Sequence, residues 1–205
     1  AEASGMVNDS WNGFNVLHTA AARVGGLDIG FVPQDGGRDT PGILEAAASG
    51  AIEVLYLLGA DEIDMSGLGE AFVIYQGSHG DAGAHRADVI LPGAAPSEKE
   101  GTYVNTEGRV QRTRRAVFPP GEARDDWAII RALSAVLDLG LPYDDLATLR
   151  ERMAGLAGHL NSLDAIEAAP WGAFGAGGKV KGPPFALPIS DFYLTDTICR
   201  ASPTM

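Results

Sequence analysis

Three short apolar runs in the first half of the chain limit most strongly what it can fold into. They are IEVLYLL at 52–58, AFVIYQ at 71–76 and ADVILPG at 87–93. Short, nearly all-apolar runs that are rich in β-branched and aromatic residues are typical of strands covered on both faces of a parallel sheet. The three runs therefore predict an open, mostly parallel sheet.

The segments before these runs extend the pattern. LDIGFVP at 27–33 predicts a further strand, and Thr40-Pro41 predicts the N-terminus of a two-turn helix that ends at Gly50. A strand, a helix and a strand in succession form a βαβ unit. Residues 27–93 therefore predict a Rossmann-like sheet of about four strands, with any ligand beyond the carboxyl ends of the strands.

Helical periodicity surrounds the predicted sheet. Apolar residues at helical spacing predict a first helix over about 11–24, with Ser10 as its N-cap. The same signal predicts helices over 122–138, 143–160 and 163–169. In the stretch Trp171 to Pro188, five of eighteen residues are Gly and three are Pro, which predicts an extended arm.

We therefore predict an α/β fold in which an open, mostly parallel sheet is flanked by helices and followed by a helical segment and an extended Gly/Pro-rich arm. The predicted boundaries are 1–118 for the α/β domain, 119–169 for the helical segment that packs on it, and 170–205 for the arm. The sequence begins without Met and ends in RASPTM with no closing helix, so we expect a piece of a longer polypeptide.

The charge balance and the single cysteine narrow the function. Asp and Glu number 27 against 15 Lys and Arg, for a net charge of -12, which disfavours nucleic acid or an anionic membrane surface as a partner. Cys199 is the only cysteine, so an internal disulfide and a cysteine-held iron–sulfur cluster within this chain are excluded. No apolar run approaches the roughly 18 residues that span a bilayer, and we expect no direct membrane insertion.

Local motifs for nucleotide binding and catalysis do not follow the predicted strands. Neither G-x-G-x-x-G nor a Walker-type Gly-Lys-Ser/Thr is present, and no nucleophile motif surrounds Cys199. One His/carboxylate cluster has a spacing that matches no familiar zinc pattern, and we interpret it as a hydrogen-bonded loop; its members are His79, Asp81, His85 and Asp88. His18 and His159 fall in predicted helices, and we interpret them as hydrogen-bonded or solvent-facing residues rather than as ligands.

The stretch EKEGTYVNTEGRVQRTRR at 98–115 is unusual for an acidic chain. Four of the twelve arginines lie within seven residues, directly after a hairpin-like Asn-Thr-Glu-Gly; they are Arg109, Arg112, Arg114 and Arg115. Alternate arginines on a strand point to opposite sides, so one pocket would not collect all four. Three interpretations are open: an inter-subunit salt-bridge surface, which we prefer, a solvated strand face, or a small-anion site.

Longer stretches carry a resemblance to a known family. ADVILPGAAPSEKEGTYVNTEGRVQ at 87–111 resembles the signature of the molybdopterin oxidoreductase superfamily, in which Ala-Asp-x-x-Leu-Pro precedes Glu-Lys-x-Gly-x-x-x-Asn-x-Glu-Gly-Arg. The sequence is similar over nearly its whole length to the family of the large iron–sulfur subunit of NADH:quinone oxidoreductase, respiratory complex I. The stretches that carry this similarity include WNGFNVLHTAAARVGGLDIGFVP at 11–33, YQGSHGDAGAHRADVILPG at 75–93 and RAVFPPGEARDDWAIIRALS at 115–134.

The resemblance implies a C-terminal piece of that subunit, which acts as a non-catalytic structural domain. In the family, the iron–sulfur clusters lie in the upstream part of the subunit, so we expect no cofactor, catalytic residue or metal in this segment. The implied partners are the upstream part of the same subunit and other peripheral-arm subunits of complex I. The implied location is the cytoplasmic side of the bacterial inner membrane, or the matrix side in mitochondria.

Six residues match the cofactor-loop signature, and we expect an inherited framework that now forms a turn and a docking surface; they are Glu98, Gly101, Asn105, Glu107, Gly108 and Arg109. Glycine supplies backbone freedom there, and Asn105 can hydrogen-bond its own turn. The alternative is a fragment of a pterin-dinucleotide (molybdenum) oxidoreductase, such as a formate dehydrogenase-like enzyme. In that case Asn105 and Arg109 would contact the molybdopterin dinucleotide.

Overall fold

The computed structural model describes residues 4–9, 11–18, 20–21, 23–166, 182, 184, 186–187, 189 and 191–204. In chain order the elements are β1 (Val7–Asn8), β2 (Trp11–Asn12), α1 (Arg23–Asp28), α2 (Thr40–Ala48), β3 (Val54–Leu58), β4 (Phe72–Gly77), α3 (Ala82–Arg86), β5 (Val89–Pro92), β6 (Thr102–Val104), β7 (Val110–Arg112), α4 (Asp126–Val136), α5 (Leu146–Leu156) and α6 (Thr197–Ala201). Single 3-10 turns lie at Pro96–Glu98 and Gly158–Asn161.

The central feature is a parallel sheet with the strand order β3-β4-β5. Leu55 lies opposite Val73, and Tyr75 lies opposite Ile90. The three apolar runs of the sequence form these three strands, and the α/β fold with an open parallel sheet and flanking helices is confirmed. A separate antiparallel hairpin joins β6 to β7, where the sequence predicts one.

The predicted strand at 27–33 is wrong. Residues 23–28 form α1, and the N–H groups of Ile29 and Phe31 donate to the carbonyls of Gly25 and Gly26 at 3.2 and 2.8 Å. Gly30 has a φ of 74°, a left-handed conformation that closes a helix and that an extended strand does not use. The parallel sheet of the described residues therefore has three strands rather than about four.

The predicted helix at 11–24 is also wrong. Val7 pairs with Asn12 in a short antiparallel ladder, residues 13–18 have no regular structure, and the helix begins only at Arg23. Leu17, a member of the apolar stripe that predicts the helix, remains 85% exposed and so gains little from packing. Helix stability comes mainly from such packing. Ser10 lies outside the described residues, and His18 is not on a helix.

The last third of the chain departs from the prediction at two places. Residues 163–166 are not helical, because Leu163 forms a bridge with Val110 of the hairpin. The remainder of that predicted helix and most of the Gly/Pro-rich stretch lie outside the described residues. Within the predicted arm, α6 is a five-residue helix where the sequence predicts no closing helix. The Asp196 side chain caps α6 by accepting from the Cys199 N–H at 2.9 Å.

The main core lies on one face of the parallel sheet. Alternate residues of β3 and β4 point into it and pack against α2 and the segment between the strands; the buried members are Ala47, Leu55, Leu57, Leu68, Ala71, Val73 and Tyr75. Asp39 holds α2 in position, since its side chain caps the helix through the Gly42 N–H at 3.0 Å. We call this the covered face.

The opposite face of the same strands is partly exposed, although Gln76 on this face is buried. Its apolar residues are Val54, Tyr56, Leu58, Phe72, Ile74, Val89 and Leu91, of which Val54, Leu58, Phe72 and Val89 are between 39% and 58% exposed. We call this the open face. A second, smaller core joins the hairpin to the 3-10 turn after α5 through Val104, Val110, Ala157 and Leu160. Across the described part of the chain, no helix has the length and apolarity needed to cross a membrane.

Candidate functional site

The loop that the sequence marks as a cofactor-loop framework is a hydrogen-bonded turn between β6 and β7. Asn105 Oδ1 accepts from the N–H groups of Glu107 and Arg109 at 3.0 and 2.9 Å. Gly108 has a φ of 87°, and its N–H donates to the Asn105 carbonyl at 2.9 Å. This turn needs a residue that tolerates positive φ, which explains the glycine. As the sequence predicts, Asn105 hydrogen-bonds its own turn.

The other framework residues hold the approach to the hairpin. Glu98 accepts the Ala95 N–H at 2.9 Å through Oε2, which closes the 3-10 turn before β6. Gly101 donates its N–H to Thr113 Oγ1 at 2.9 Å, and its carbonyl accepts the Thr113 N–H at the same distance. These contacts are internal to the segment 95–113, and they stabilise its shape.

The four arginines of the basic run do not converge. Arg109 Nη1 donates to the Asp164 carbonyl at 2.6 Å, and its Nη2 lies 3.7 Å from Glu107 Oε2. Arg115 lies over the Phe118 ring at 5.5 Å, whereas Arg114 is exposed and Arg112 is half-buried. Within the described residues, the run is thus a spread surface rather than a single anion pocket.

The residues of the predicted His/carboxylate loop have separate partners. His79 Nδ1 lies 3.0 Å from Ser78 Oγ, and Asp88 Oδ2 accepts the Val73 N–H at 2.7 Å. Asp81 pairs with Arg200, and His85 lies in the last turn of α3. In the described ranges, no three His, Cys, Asp or Glu side chains are grouped so that they could hold a metal ion. His159 Nε2 lies 2.9 Å from Asp28 Oδ2.

A crevice of about 360 Å³ lies beyond the carboxyl ends of β3 and β4. Open parallel sheets bind their ligands at this position. The crevice is bounded by the ends of both strands, by residues 94–99, by Asp126 at the start of α4, and by the residues Asp196 to Ile198. The apolar runs of the sequence predict these strand ends, but no local motif identifies the side chains that meet there.

A chain of polar side chains forms the floor of the crevice. The Tyr56 hydroxyl donates to Gln76 Oε1, Gln76 Nε2 donates to Asp126 Oδ1 at 2.8 Å, and Lys99 forms an ion pair with Asp126. Gln76 is completely buried, so these bonds compensate its loss of water. Burial, and then the Asp126 carboxylate, raise the pKa of Tyr56. Because these groups are paired with each other, the floor offers few polar atoms to a ligand.

A second polar network surrounds Tyr75, whose ring also lines the crevice. The Tyr75 hydroxyl lies 2.7 Å from Asp61 Oδ2 and 3.0 Å from the His79 carbonyl oxygen, and Asp61 Oδ1 accepts the Gly83 N–H at 2.9 Å. Burial, and then the bond to Asp61, raise the pKa of Tyr75 well above its usual range. Asp61 is itself buried, and both of its oxygens are used.

Arg200 of α6 extends this network through Asp81. Its Nε lies 2.5 Å from Asp81 Oδ2, and its Nη1 donates to the Leu194 carbonyl at 3.3 Å. Its Nη2 lies 3.7 Å from Glu62 Oε1, which is an ion-pair distance but too long for a hydrogen bond. The bond to Arg200 lowers the pKa of Asp81. No local motif marks Arg200, since its carboxylate partners lie more than a hundred residues upstream.

The framework residues that a pterin dinucleotide would contact in the alternative interpretation already have partners within the chain. Asn105 and Arg109, which a pterin dinucleotide would use, are bonded within their own turn and to Asp164. An iron–sulfur cluster needs several thiolates, and the chain has one cysteine. The bond from Cys199 Sγ to Asp196 raises the pKa of that thiol, which further disfavours a thiolate ligand.

Comparison with known proteins identifies two matching families. Residues 1–136 match the model of the family described as molybdopterin oxidoreductase. Residues 165–205 match a model that describes the C-terminal region of an NADH-ubiquinone oxidoreductase subunit. The boundary between the two matches falls in the region of α4 and α5, so α6 and Arg200 belong to the second match, whereas the parallel sheet belongs to the first.

Individual relatives match over nearly the whole chain. The NADH-ubiquinone oxidoreductase 75 kDa subunit of Reclinomonas americana is 47% identical over 96% of this chain and 28% of the relative. The 78 kDa mitochondrial subunit of Candida albicans is 49% identical over 95% of this chain and 27% of its own length. The NADH dehydrogenase [ubiquinone] iron-sulfur protein 1 of Solanum tuberosum is 44% identical over 100% of this chain and 27% of the relative. The chain therefore spans just over a quarter of the length of these relatives.

Proposed function

Because the chain belongs to the molybdopterin oxidoreductase family, we propose that it is the C-terminal part of the large iron–sulfur subunit of an NADH:quinone oxidoreductase, and that it acts there as a structural domain without a cofactor of its own. Of the relatives at 44% to 49% identity, two are subunits of an NADH-ubiquinone oxidoreductase by name and one is an iron–sulfur protein of NADH dehydrogenase [ubiquinone] by name. The chemistry of electron transfer from NADH to quinone belongs, in this proposal, to other parts of the assembly.

The open face of the sheet is the observation that carries the proposal. Parallel sheets are normally covered on both faces. Here a continuous set of apolar side chains on one face, including Leu58 and Phe72, is about half exposed in the chain alone. An exposed apolar surface of this kind marks an interface. More than two thirds of the relatives' length lies outside the matched stretch, and we propose that the upstream part of the same polypeptide covers the open face.

A second contact surface follows from the basic run. Arg114 and Arg115 are exposed in an acidic chain, and Phe118, beneath the Arg115 guanidinium, is 84% exposed. Arginine and aromatic side chains are enriched at protein interfaces. We propose that Arg109, Arg112, Arg114 and Arg115 form a docking surface for an acidic part of a neighbouring peripheral-arm subunit. The proposed location is the cytoplasmic side of the bacterial inner membrane, or the matrix side in mitochondria.

The absence of a cofactor in this segment is also a proposal. It is supported by the internal bonding of Asn105 and Arg109 and by the single cysteine. The proposed architecture includes the domain division at 1–118, 119–169 and 170–205. Elemental analysis of the full-length parent protein for molybdenum and tungsten, with a fluorescence assay for oxidised pterin, tests the cofactor-free assignment. Metal and pterin near one per chain would instead support a pterin-dinucleotide oxidoreductase.

The structural role is tested by Leu58→Asp in the full-length subunit. Leu58 lies on the open face at the carboxyl end of the edge strand β3, and an unpaired carboxylate buried there would prevent the upstream part from packing. We expect loss of assembled complex, measured by native gel and NADH:quinone activity, while the 205-residue chain alone keeps its fold. Leu139→Asp is the matched control, since Leu139 is 70% exposed and lies in the loop after α4 rather than on a strand of the sheet. Normal assembly of the Leu58 variant would contradict the proposal.

A further inference from the structure

The parallel sheet ends at β3 in a free edge. We propose that this edge is an interaction surface for an extended segment from the upstream part of the full-length polypeptide, which adds to β3 as a further strand. The proposed pairing rests on the function proposed above, since the occupant is the same upstream part that covers the open face. It concerns the backbone of β3, whereas the cover of the open face concerns side chains.

Hydrogen bonds at the two ends of β3 show which positions bond to β4. The Phe72 N–H donates to the Glu53 carbonyl at 2.8 Å, and the Gly59 N–H donates to the Gln76 carbonyl at 2.7 Å. In a parallel pair, every second residue of a strand directs both its N–H and its C=O to the same neighbour. The odd-numbered positions from 53 to 59 therefore face β4.

The even-numbered positions of β3 face the free edge instead; they are Val54, Tyr56 and Leu58. Among the described residues, no backbone group bonds to their N–H or C=O groups across this edge. Val54 and Leu58 are 58% and 52% exposed. Three donors and three acceptors in one row are therefore available to a further strand.

The β3 edge lacks the features that protect the β5 edge. At the end of β5, the Ala94 N–H donates to the Arg124 carbonyl at 2.8 Å, and the Arg124 N–H donates to the Pro92 carbonyl at 3.1 Å. Natural edge strands are also kept from pairing by charged residues, proline or bulges. β3 reads VLYLL, without charge or proline, and its five residues pair with β4 in continuous register. It is thus suited to accept a strand rather than to exclude one.

The topology of the sheet indicates an occupant from outside the 205 residues. The connections from β3 to β4 and from β4 to β5 contribute to the core on the covered face, as does α2 before β3. With right-handed crossovers, a strand leading into α2 would lie beside β3, on the side away from β4. Residues 23–28 form α1 instead, and the strands described before α2, β1 and β2, pair with each other. More than two thirds of the relatives' length lies outside the match, and we assign the empty position to that part.

Amide hydrogen exchange with residue resolution tests the pairing in the full-length subunit within its assembled complex. A further strand would protect the amides of Val54, Tyr56 and Leu58 as well as those of Leu55 and Leu57, which bond to β4. We expect all five to exchange slowly, at rates within roughly tenfold of one another. Slow exchange at positions 55 and 57 with rapid exchange at 54, 56 and 58 would overturn the inference.

Val54→Pro in the full-length subunit provides a second test. Val54 is the first residue of β3 and its N–H faces the free edge, which is a position where a sheet tolerates proline. The variant removes one donor from the proposed pairing and places a ring in its way. We expect the yield of assembled complex to fall roughly tenfold below that of Val54→Ala, the matched control, which keeps the N–H. Equal yields would contradict the pairing.

The strand pairing and the cover of the open face can fail separately. Lost assembly in Leu58→Asp together with rapid exchange at the three edge amides would mean that the face is covered but that no strand is added. Normal assembly of Leu58→Asp with slow exchange at those amides would refute the cover of the face and support the pairing. Slow exchange that requires a dimer of the full-length subunit, seen by sedimentation velocity, would assign the edge to a second copy and overturn the inference.

Discussion

The two faces of the parallel sheet are built from the same strands, yet they meet different surroundings. On the covered face, Leu57 is 3% exposed and packs with Ala47 of α2 and Leu68. On the open face, its neighbour Leu58 is 52% exposed. Strand composition is alike on both sides, so the difference comes from what lies above each face. The covered face supports the fold of this chain, whereas we propose that the open face supports its assembly.

The largest expected difference is between Leu57→Ala and Leu58→Ala. Truncation of a buried leucine loses its transfer free energy and leaves a cavity, at a cost of about 2 to 5 kcal/mol. Leu58→Ala should cost less than about 1 kcal/mol in the isolated chain, since the side chain is already half in water. Urea denaturation of both variants measures the loss of unfolding free energy in each. Equal losses in the two would mean that the open face is covered in solution, for example by a second copy.

The two tyrosines provide a smaller contrast. Tyr75→Phe on the covered face removes a hydroxyl that bonds to buried Asp61 and leaves the Asp61 Oδ2 atom without that donor, at about 1 to 3 kcal/mol. Tyr56→Phe on the open face should cost less, because the Gln76 amide keeps its bond to Asp126. Thermal unfolding of both variants tests the order. A larger loss of stability in Tyr56→Phe would mean that the polar network at the crevice floor contributes more to stability than the network around Tyr75.

The pH dependence of stability at alkaline pH follows from the same tyrosines. The pKa of Tyr75 is raised by burial and by Asp61, so the folded protein keeps this proton above pH 10 while the unfolded chain loses it at about 10. The Tyr75 contribution is therefore fully present below about pH 10 and declines as the pH rises above it. Tyr56, whose pKa is also raised, acts in the same direction. We expect the urea midpoint to fall less steeply above pH 10 in Tyr75→Phe than in the parent chain.

The smallest effect on stability is expected on the open face itself. Val54→Lys introduces a charge on an edge strand at a site that is 58% exposed, so the free energy of unfolding should change by no more than about 0.5 kcal/mol. In the full-length subunit the variant should nevertheless reduce assembly of the complex, measured by native gel. Val136→Lys, at an 80% exposed site on α4, is the control and should change neither property. A marked loss of stability in Val54→Lys would contradict the description of this face as open.

Sequence reasoning succeeded where short-range signals decide the structure. β3, β4 and β5 follow from apolar runs, the hairpin follows from Asn-Thr-Glu-Gly, and α2, α4 and α5 follow from caps and periodicity. It failed at 11–33, where periodicity predicted a helix and β-rich composition predicted a strand. There a left-handed glycine at position 30 and the little packing that Leu17 gains determine the backbone instead.

The amino-acid sequence by itself determined the open parallel sheet, the self-bonded turn at Asn105 and the family, because each depends on residues that are close together in the chain. Only the tertiary structure decided which face of the sheet is covered and what lies at the carboxyl ends of its strands. Arg200 meets Asp81 across more than a hundred residues, and no local pattern encodes such a contact. The physical reason is that burial and ion pairing depend on which surfaces come together, whereas strand and turn propensities depend on immediate neighbours.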